Sequence, residues 1–166
     1  MEKKIRLCTK EDVEAIVVLG LLAWEPVFES FEKIMGPTVF KIIYPDWEKT
    51  QREEMERVCR ETDKFDTYIA EVEGRVVGFT TLELNQEVKK GEIYFLAVHP
   101  DAQNEGIGTA LNLFAIQKMK EAGMKFIEVG TGGDPSHASA RRSYEKAGFK
   151  RVLPAVHYYM DLTEEN

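Results

Sequence analysis

The stretch EIYFLAVHPDAQNEGIGTALNLF, residues 92–114, runs from an apolar, strand-like segment through a short polar loop into a helix-like segment that opens with two glycines. That order suits an anion. The first backbone N–H groups of a helix have no intrahelical partners, and the helix dipole adds partial positive charge there, so a pyrophosphate can sit on them. Gly106 and Gly108 would let the backbone approach such an anion with no Cβ in the way. Taken alone, QNEGIG reads equally well as a tight turn. Two nucleotide-binding patterns are missing: there is no GxxxxGK(S/T), and GxGxxG fails because Leu111 stands where its third glycine belongs.

A second segment, SHASARRSYEKAGF at residues 136–149, follows on the next helix-like run. Together with LAVHPDAQNEGIGTAL it resembles the GNAT N-acetyltransferase superfamily, over residues 65 to 162. Gln103, Gly106 and Gly108 match the family's (Q/R)xxGxG, and Ala140, Tyr144, Glu145, Lys146, Gly148 and Phe149 match its NxxAxxxYEKxGF. His137 departs from the pattern, standing where many members have Asn; an imidazole can still donate a hydrogen bond.

The resemblance implies one domain over residues 1–166, with acceptor-side helices at 10–62 and an acetyl-CoA-binding core at 65–162. It implies a mixed α/β fold: a mostly antiparallel sheet of six to seven strands, helices on both faces, and a V-shaped split between the fourth and fifth strands. It also implies acetyl-CoA as donor and no metal. By the same likeness, backbone groups of Leu96, Ala97 and Val98 hold the pantetheine arm, and Leu96 polarises the thioester carbonyl. Gln103, Asn104, Glu105, Gly106, Ile107, Gly108 and Thr109 hold the pyrophosphate, and His137, Ala140 and Tyr144 complete the cofactor site. Tyr144 is the candidate general acid for the departing thiolate. Read without the motif, it is a helix aromatic packed one turn from Ala140.

An acceptor amine must be neutral to attack, and a lysine-like amine with pKa about 10.4 is protonated at neutral pH, so a base or a water relay is expected. Glu92 is the first candidate: in a regular strand it shares a face with Tyr94 and Leu96. A carboxylate at a strand edge facing solvent is the equal alternative. His99, beside Pro100, and His157, beside Tyr158 and Tyr159, are weaker candidates. Trp24, Phe28, Phe31, Tyr44 and Trp47 could line the acceptor cavity, with Glu25, Glu29 or Asp46 drawing in a cation; such aromatics are also ordinary core.

The elements that must position these residues alternate in period. Thr9 and Asp12 form a weak capping box ahead of Val13, Ile16, Val17, Leu21 and Trp24 at helical spacing. The aromatic region from Pro26 to Pro45 is broken by Gly36 and Pro37 and reads as irregular or short-helical. Asp46 caps a charged surface helix to about Arg60. TYIAEV and RVVGFTTLEL alternate around Glu73 and Gly74 as a hairpin, and EIYFLAV is the next strand. A helix runs from about Gly106 to Ala122 and stops at Gly123, KFIEVGT is a short strand, and a last helix ends at Gly148. FKRVL and VHYYMDL read as two more strands.

At 166 residues one compact domain is the default. The net charge of −7 argues against nonspecific nucleic-acid binding. No run reaches the roughly 18 apolar residues of a membrane span, and the N-terminus has no apolar segment behind its basic residues. Cys8 and Cys59 form no CxxC and suggest neither a disulfide framework nor a zinc site, so a reducing cytoplasm is expected. The resulting expectation is transfer of acetyl to the primary amine of a small molecule. Acetylation of a protein or peptide and a non-catalytic acetyl-CoA sensor are the alternatives, and a homodimer is left open, being common in the family.

Overall fold

The structure, a computed structural model, describes residues 3–164. Five strands, β1 (Lys3–Leu7), β2 (Phe65–Val72), β3 (Arg75–Asn85), β4 (Lys90–Val98) and β5 (Phe126–Glu128), form one sheet in sequence order. Every neighbouring pair is antiparallel except β4 and β5, which are parallel. Five α-helices surround it: α1 (Val13–Met35), α2 (Pro37–Ile43), α3 (Trp47–Arg60), α4 (Ile107–Glu121) and α5 (Ala138–Ala147).

Alternation along the strands assigns the helices to two faces. Ile69, Phe79 and Ala97 pack with Ile16, Val17 and Leu19 of α1 and Met55 of α3. Their neighbours Ala70 and Val77 instead meet Ile107 and Leu111 of α4, and Leu82 and Ile93 meet its Ala115 and Met119. The capping box between Thr9 and Asp12 forms, and Arg6 of β1 ties it to the sheet at 2.7 Å from the Asp12 carboxylate. At the same corner the free thiols of Cys8 and Cys59 both pack against this core; Cys8 Sγ donates to the Thr9 carbonyl at 3.2 Å, and the nearby Cys59 thiol, with burial, pushes the Cys8 thiol up.

Helix α1 meets α3 closely at Gly20, where an added Cβ would lie 2.3 Å from Met55 Sδ and 2.8 Å from the Trp24 ring. Gly20→Leu is therefore expected to cost about 1–3 kcal/mol through overpacking, read as a lower thermal midpoint by circular dichroism.

Three expectations are corrected. The region from Pro26 to Pro45 breaks at Gly36 and continues as the short helix α2, as its glycine and proline suggest, but its first part is no separate insert: α1 continues through Pro26 to Met35. Proline removes a helical hydrogen bond, but Val27 and Phe28 are buried directly behind it, and that packing keeps the helix going. The sheet has five strands, not six or seven: among the described residues, the chain after α5 forms no ladder, so FKRVL and VHYYMDL are unpaired. Finally, β4 is not regular. Its pairing with β3 steps from Thr81↔Phe95 to Leu82↔Ile93, leaving Tyr94 as an extra residue. This bulge resets the alternation, so Ile93 and Leu96 both turn towards α4 while Phe95 turns towards α1.

Candidate functional site

The sheet opens at the bulge. Strand β5 pairs with β4 only over Lys90, Gly91 and Glu92, and beyond Tyr94 the β5-facing edge of β4 has no strand beside it. The Val98 carbonyl on that edge accepts from Gln103 Nε2 at 3.2 Å. Because alternate residues turn their backbone groups to opposite edges, Leu96 shares the open edge with Val98, and Ala97 turns towards β3.

Directly beyond this edge the chain turns into α4. Asn104 and Gly106 have positive φ, 65° and 81°, which bends the loop so that the helix starts abruptly at Ile107. The first helical bond runs from Ala110 N to Gly106 O. Among the described residues nothing accepts from the N–H groups of Asn104 to Thr109, so the helix start presents a set of unpaired donors. Gly108 lies under Val98 and Ser143, with room for a Cβ at 3.6 Å but for little more.

These donors line a cavity of about 450 Å³, together with the β4 edge, α1 and α5. Of the residues expected to bind the cofactor, Leu96, Ala97, Val98, Gln103, Asn104, Gly106, Ile107, Gly108, Thr109, His137, Ala140 and Tyr144 all face it. Glu105 does not; its carbonyl accepts from Lys3 Nζ at 3.2 Å. Among the described residues, the Lys, Arg, Asp and Glu side chains that line the cavity are Arg142 and Lys146, with no carboxylate. The cavity therefore favours an anion.

Helix α5 is fixed against α4 by Asn112, whose Nδ2 donates to Ser143 Oγ at 3.1 Å, and Ser143 in turn donates to the Ala140 carbonyl. The next residue, Tyr144, packs edge-on against Phe149. Burial pushes its phenol up to about 12. A hydroxyl in that condition holds its proton across the physiological range.

At the start of α5, His137 Nδ1 is 2.5 Å from Asp134 Oδ1. Ser30 of α1 donates to the other carboxylate oxygen at 2.8 Å, and Ser136 adds its backbone N–H at 3.2 Å and its hydroxyl. Burial alone would raise the Asp134 carboxyl; the hydrogen bonds from Ser136, His137 and Ser30 outweigh it and hold the group well below its ordinary value. A carboxylate on Nδ1 fixes the imidazole orientation and leaves Nε2 as the free nitrogen. The ring also stacks on Phe31 of α1 at 5.9 Å, so it stands between the donor helix and the aromatic wall. Asp134 was missed by the sequence reading. Its signal was the Asp-Pro-Ser-His run, an N-cap pattern with histidine three positions on.

Glu92 is set apart from this group. It lies before the bulge, outside the cavity lining, and Lys90 Nζ holds its carboxylate at 2.9 Å while also reaching Glu128 at 3.1 Å. It does not share a face with Leu96, because the extra residue at Tyr94 intervenes. His99 caps the turn at Asp101, with Arg75 beside its ring, and His157 is on the exposed chain after α5. Trp24, Phe28 and Phe31 line the cavity, whereas Tyr44 and Trp47 stand behind them, Trp47 stacked on Phe28 at 4.2 Å. Glu25 and Glu29 are exposed and Asp46 borders a separate hollow, so none of the three lines the main cavity.

A family model described as the acetyltransferase (GNAT) family matches residues 28–149. The chain belongs to this family. A mycothiol acetyltransferase from Saccharomonospora viridis is 32% identical over 158 residues, 89% of this chain and 45% of that protein. An N-alpha-acetyltransferase from Sulfurisphaera tokodaii is 37% identical over 107 residues, 57% of this chain and 62% of that one. The chain thus spans less than half the length of the mycothiol acetyltransferases it matches first. Among solved structures, the PaiA N-acetyltransferase of Thermoplasma acidophilum in complex with coenzyme A superposes with TM-score 0.72 at 20% identity, covering 90% of this chain and 91% of that one. An aminoglycoside acetyltransferase from an uncultured soil metagenomic sample does so with TM-score 0.62 at 26% identity, covering 97% of both.

As a GNAT chain it carries the split between the fourth and fifth strands and the glycine-led helix start beside it. At the position where the resemblance leads one to expect Asn the chain has His137, an imidazole braced by Asp134.

Proposed function

We propose that this chain is an acetyl-CoA-dependent N-acetyltransferase acting on the primary amine of a small molecule. The observation that carries the reading is the row of unpaired N–H donors from Asn104 to Thr109, opening beside the free edge of β4. Backbone donors at a helix start fit a diphosphate, and Arg142 and Lys146 in the same lining add positive charge. Acetyl-CoA, when bound, supplies an acetyl group activated as a thioester. The open-edge backbone of Leu96 and Val98 is suited to hydrogen-bond an extended arm and to steady charge on a carbonyl oxygen. Tyr144 Oη holds a proton for the departing sulfur.

The incoming amine must lose a proton. His137, a residue of the cavity lining held through Nδ1 by Asp134, is better placed to accept it than Glu92, which lies outside the lining and is paired with Lys90. Trp24, Phe28 and Phe31 give the acceptor side an aromatic wall suited to a small, partly apolar amine. The names of the mycothiol and aminoglycoside acetyltransferases point the same way, while that of the N-alpha-acetyltransferase points to a peptide.

Calorimetric titration with coenzyme A, followed by a panel of small amines and peptides assayed for free thiol, tests this. Binding with thiol release on small amines is expected. Turnover on peptides alone would overturn the acceptor class, binding without release on any amine would make the chain a sensor, and no heat with coenzyme A would end the reading. Gly108→Asp sets a carboxylate among the donors and is expected to weaken coenzyme A binding about tenfold or more, the scale of one lost charge-assisted hydrogen bond.

A further inference from the structure

An ammonium group entering the cavity meets rings and no carboxylate. Trp24, Phe28 and Phe31 of α1 line it, and among the described residues no Asp or Glu does. Three carboxylates around it are already engaged within the protein. Asp134 is held by His137, Ser136 and Ser30. Glu54 of α3, behind the lining residue Tyr94, accepts from that phenol at 2.5 Å and from Arg57 Nε at 2.8 Å. Glu92, outside, is paired with Lys90 at 2.9 Å. A second or third ammonium on an acceptor would thus lose water with no anion to meet it, and a charge is costly to bury unpaired. Arg142 and Lys146 in the lining carry the same sign and oppose each further positive charge.

A cation can also rest on the face of an aromatic ring. Here Trp47 stacks on Phe28 at 4.2 Å with 15° between the planes, and Phe31 is stacked with both His137 and Tyr44 at 5.9 Å. These contacts cover ring faces and hold the wall in place, so what it offers is apolar area, which another aromatic ring covers well by packing edge to face. The cavity of about 450 Å³ must also take the thiol end of the donor, and the space that remains suits one ring. One turn of α3 beyond Trp47, Gln51 joins the lining with a carboxamide that carries no charge. We propose that the acceptor is a primary amine with a single positive charge and an aromatic body, seated against Trp24, Phe28 and Phe31 with Gln51 as its neutral polar neighbour, and that amines bearing several positive charges are poor acceptors. The inference rests on the acetyl-transfer reading of the same site and names the class of amine it takes.

Thiol release from acetyl-CoA by the full chain, measured with 2-phenylethylamine, butylamine and spermidine as acceptors, tests it. The first two share one ammonium and differ by a ring, while spermidine brings three charges and no ring. 2-Phenylethylamine is expected to exceed both others in kcat/KM by about tenfold or more, the scale of moving one ring from water onto an apolar wall. Gln51→Glu keeps the shape of the side chain and supplies the missing anion, so it should raise the ratio of spermidine to 2-phenylethylamine turnover by about fivefold or more. Thiol release that treats butylamine as well as 2-phenylethylamine, or that favours spermidine, would overturn this inference and leave acetyl transfer to small amines standing. A ratio that Gln51→Glu does not move would overturn it too, by removing Gln51 from the acceptor's surroundings. No thiol with any amine would bring down both the inference and the reading beneath it.

Discussion

Tyr144→Phe is expected to lower kcat by about a hundredfold or more, the usual range for a lost general acid, with the affinity for coenzyme A unchanged within about twofold. The substitution removes one oxygen and keeps the ring. The edge-on contact with Phe149 survives, and α5 stays fixed through Asn112 and Ser143, which do not involve the phenol. What is lost is a proton donor that burial keeps protonated, since the phenol is pushed up to about 12. The sign matters for pH. A group raised above its ordinary value of 10.0 keeps its proton at every lower pH, so the wild-type rate should show no fall from this residue below about pH 10. Steady-state assays of thiol release with calorimetry on both proteins check it. A variant that turns over at the wild-type rate would remove Tyr144 from the chemistry and return it to the packing role its spacing from Ala140 also allows.

Much of this site was legible in the residues because it depends on local rules. A helix that starts at a glycine, stops before another glycine and carries one apolar stripe can be read from spacing, and α4 and α5 lie where Gly106, Gly123 and Gly148 put them. The features that spacing could not give are set by long-range packing. No glycine or proline marks the bulge at Tyr94, whose hydroxyl is drawn to Glu54 on α3 at 2.5 Å, yet that one residue moves Glu92 off the face of Leu96. Pro26 signals a break, and burial of Val27 and Phe28 overrides it. The chain after α5 has strand propensity in every second residue, but propensity cannot say whether a sheet edge is within reach. The pairing of Asp134 with His137 was written in the sequence as a cap, and its value as a braced imidazole emerged only when Ser30, from a distant helix, closed around it.

His137→Ala is expected to lower kcat by about a hundredfold or more, again the scale of general acid–base catalysis, and added imidazole should restore part of the loss. The position is where the family commonly has Asn, so two roles compete: contact with the cofactor, or removal of the acceptor's proton. They separate in the measurements. If His137 holds the cofactor, His137→Asn keeps the rate and His137→Ala weakens coenzyme A binding. If it takes the proton, both variants bind coenzyme A normally, both are slow, and imidazole rescues the smaller one. The second pattern is expected, because Asp134 on Nδ1 does little for a hydrogen-bond donor but does much for a base: it fixes the ring and stabilises the positive charge that arrives with the proton. Asp134→Asn should therefore slow kcat without changing coenzyme A affinity, and a double variant, His137→Ala with Asp134→Asn, should be no slower than His137→Ala alone, since the carboxylate acts only through the imidazole. Additive losses would show instead that Asp134 contributes by bracing α1 through Ser30, and the imidazole would lose its assigned part in the reaction.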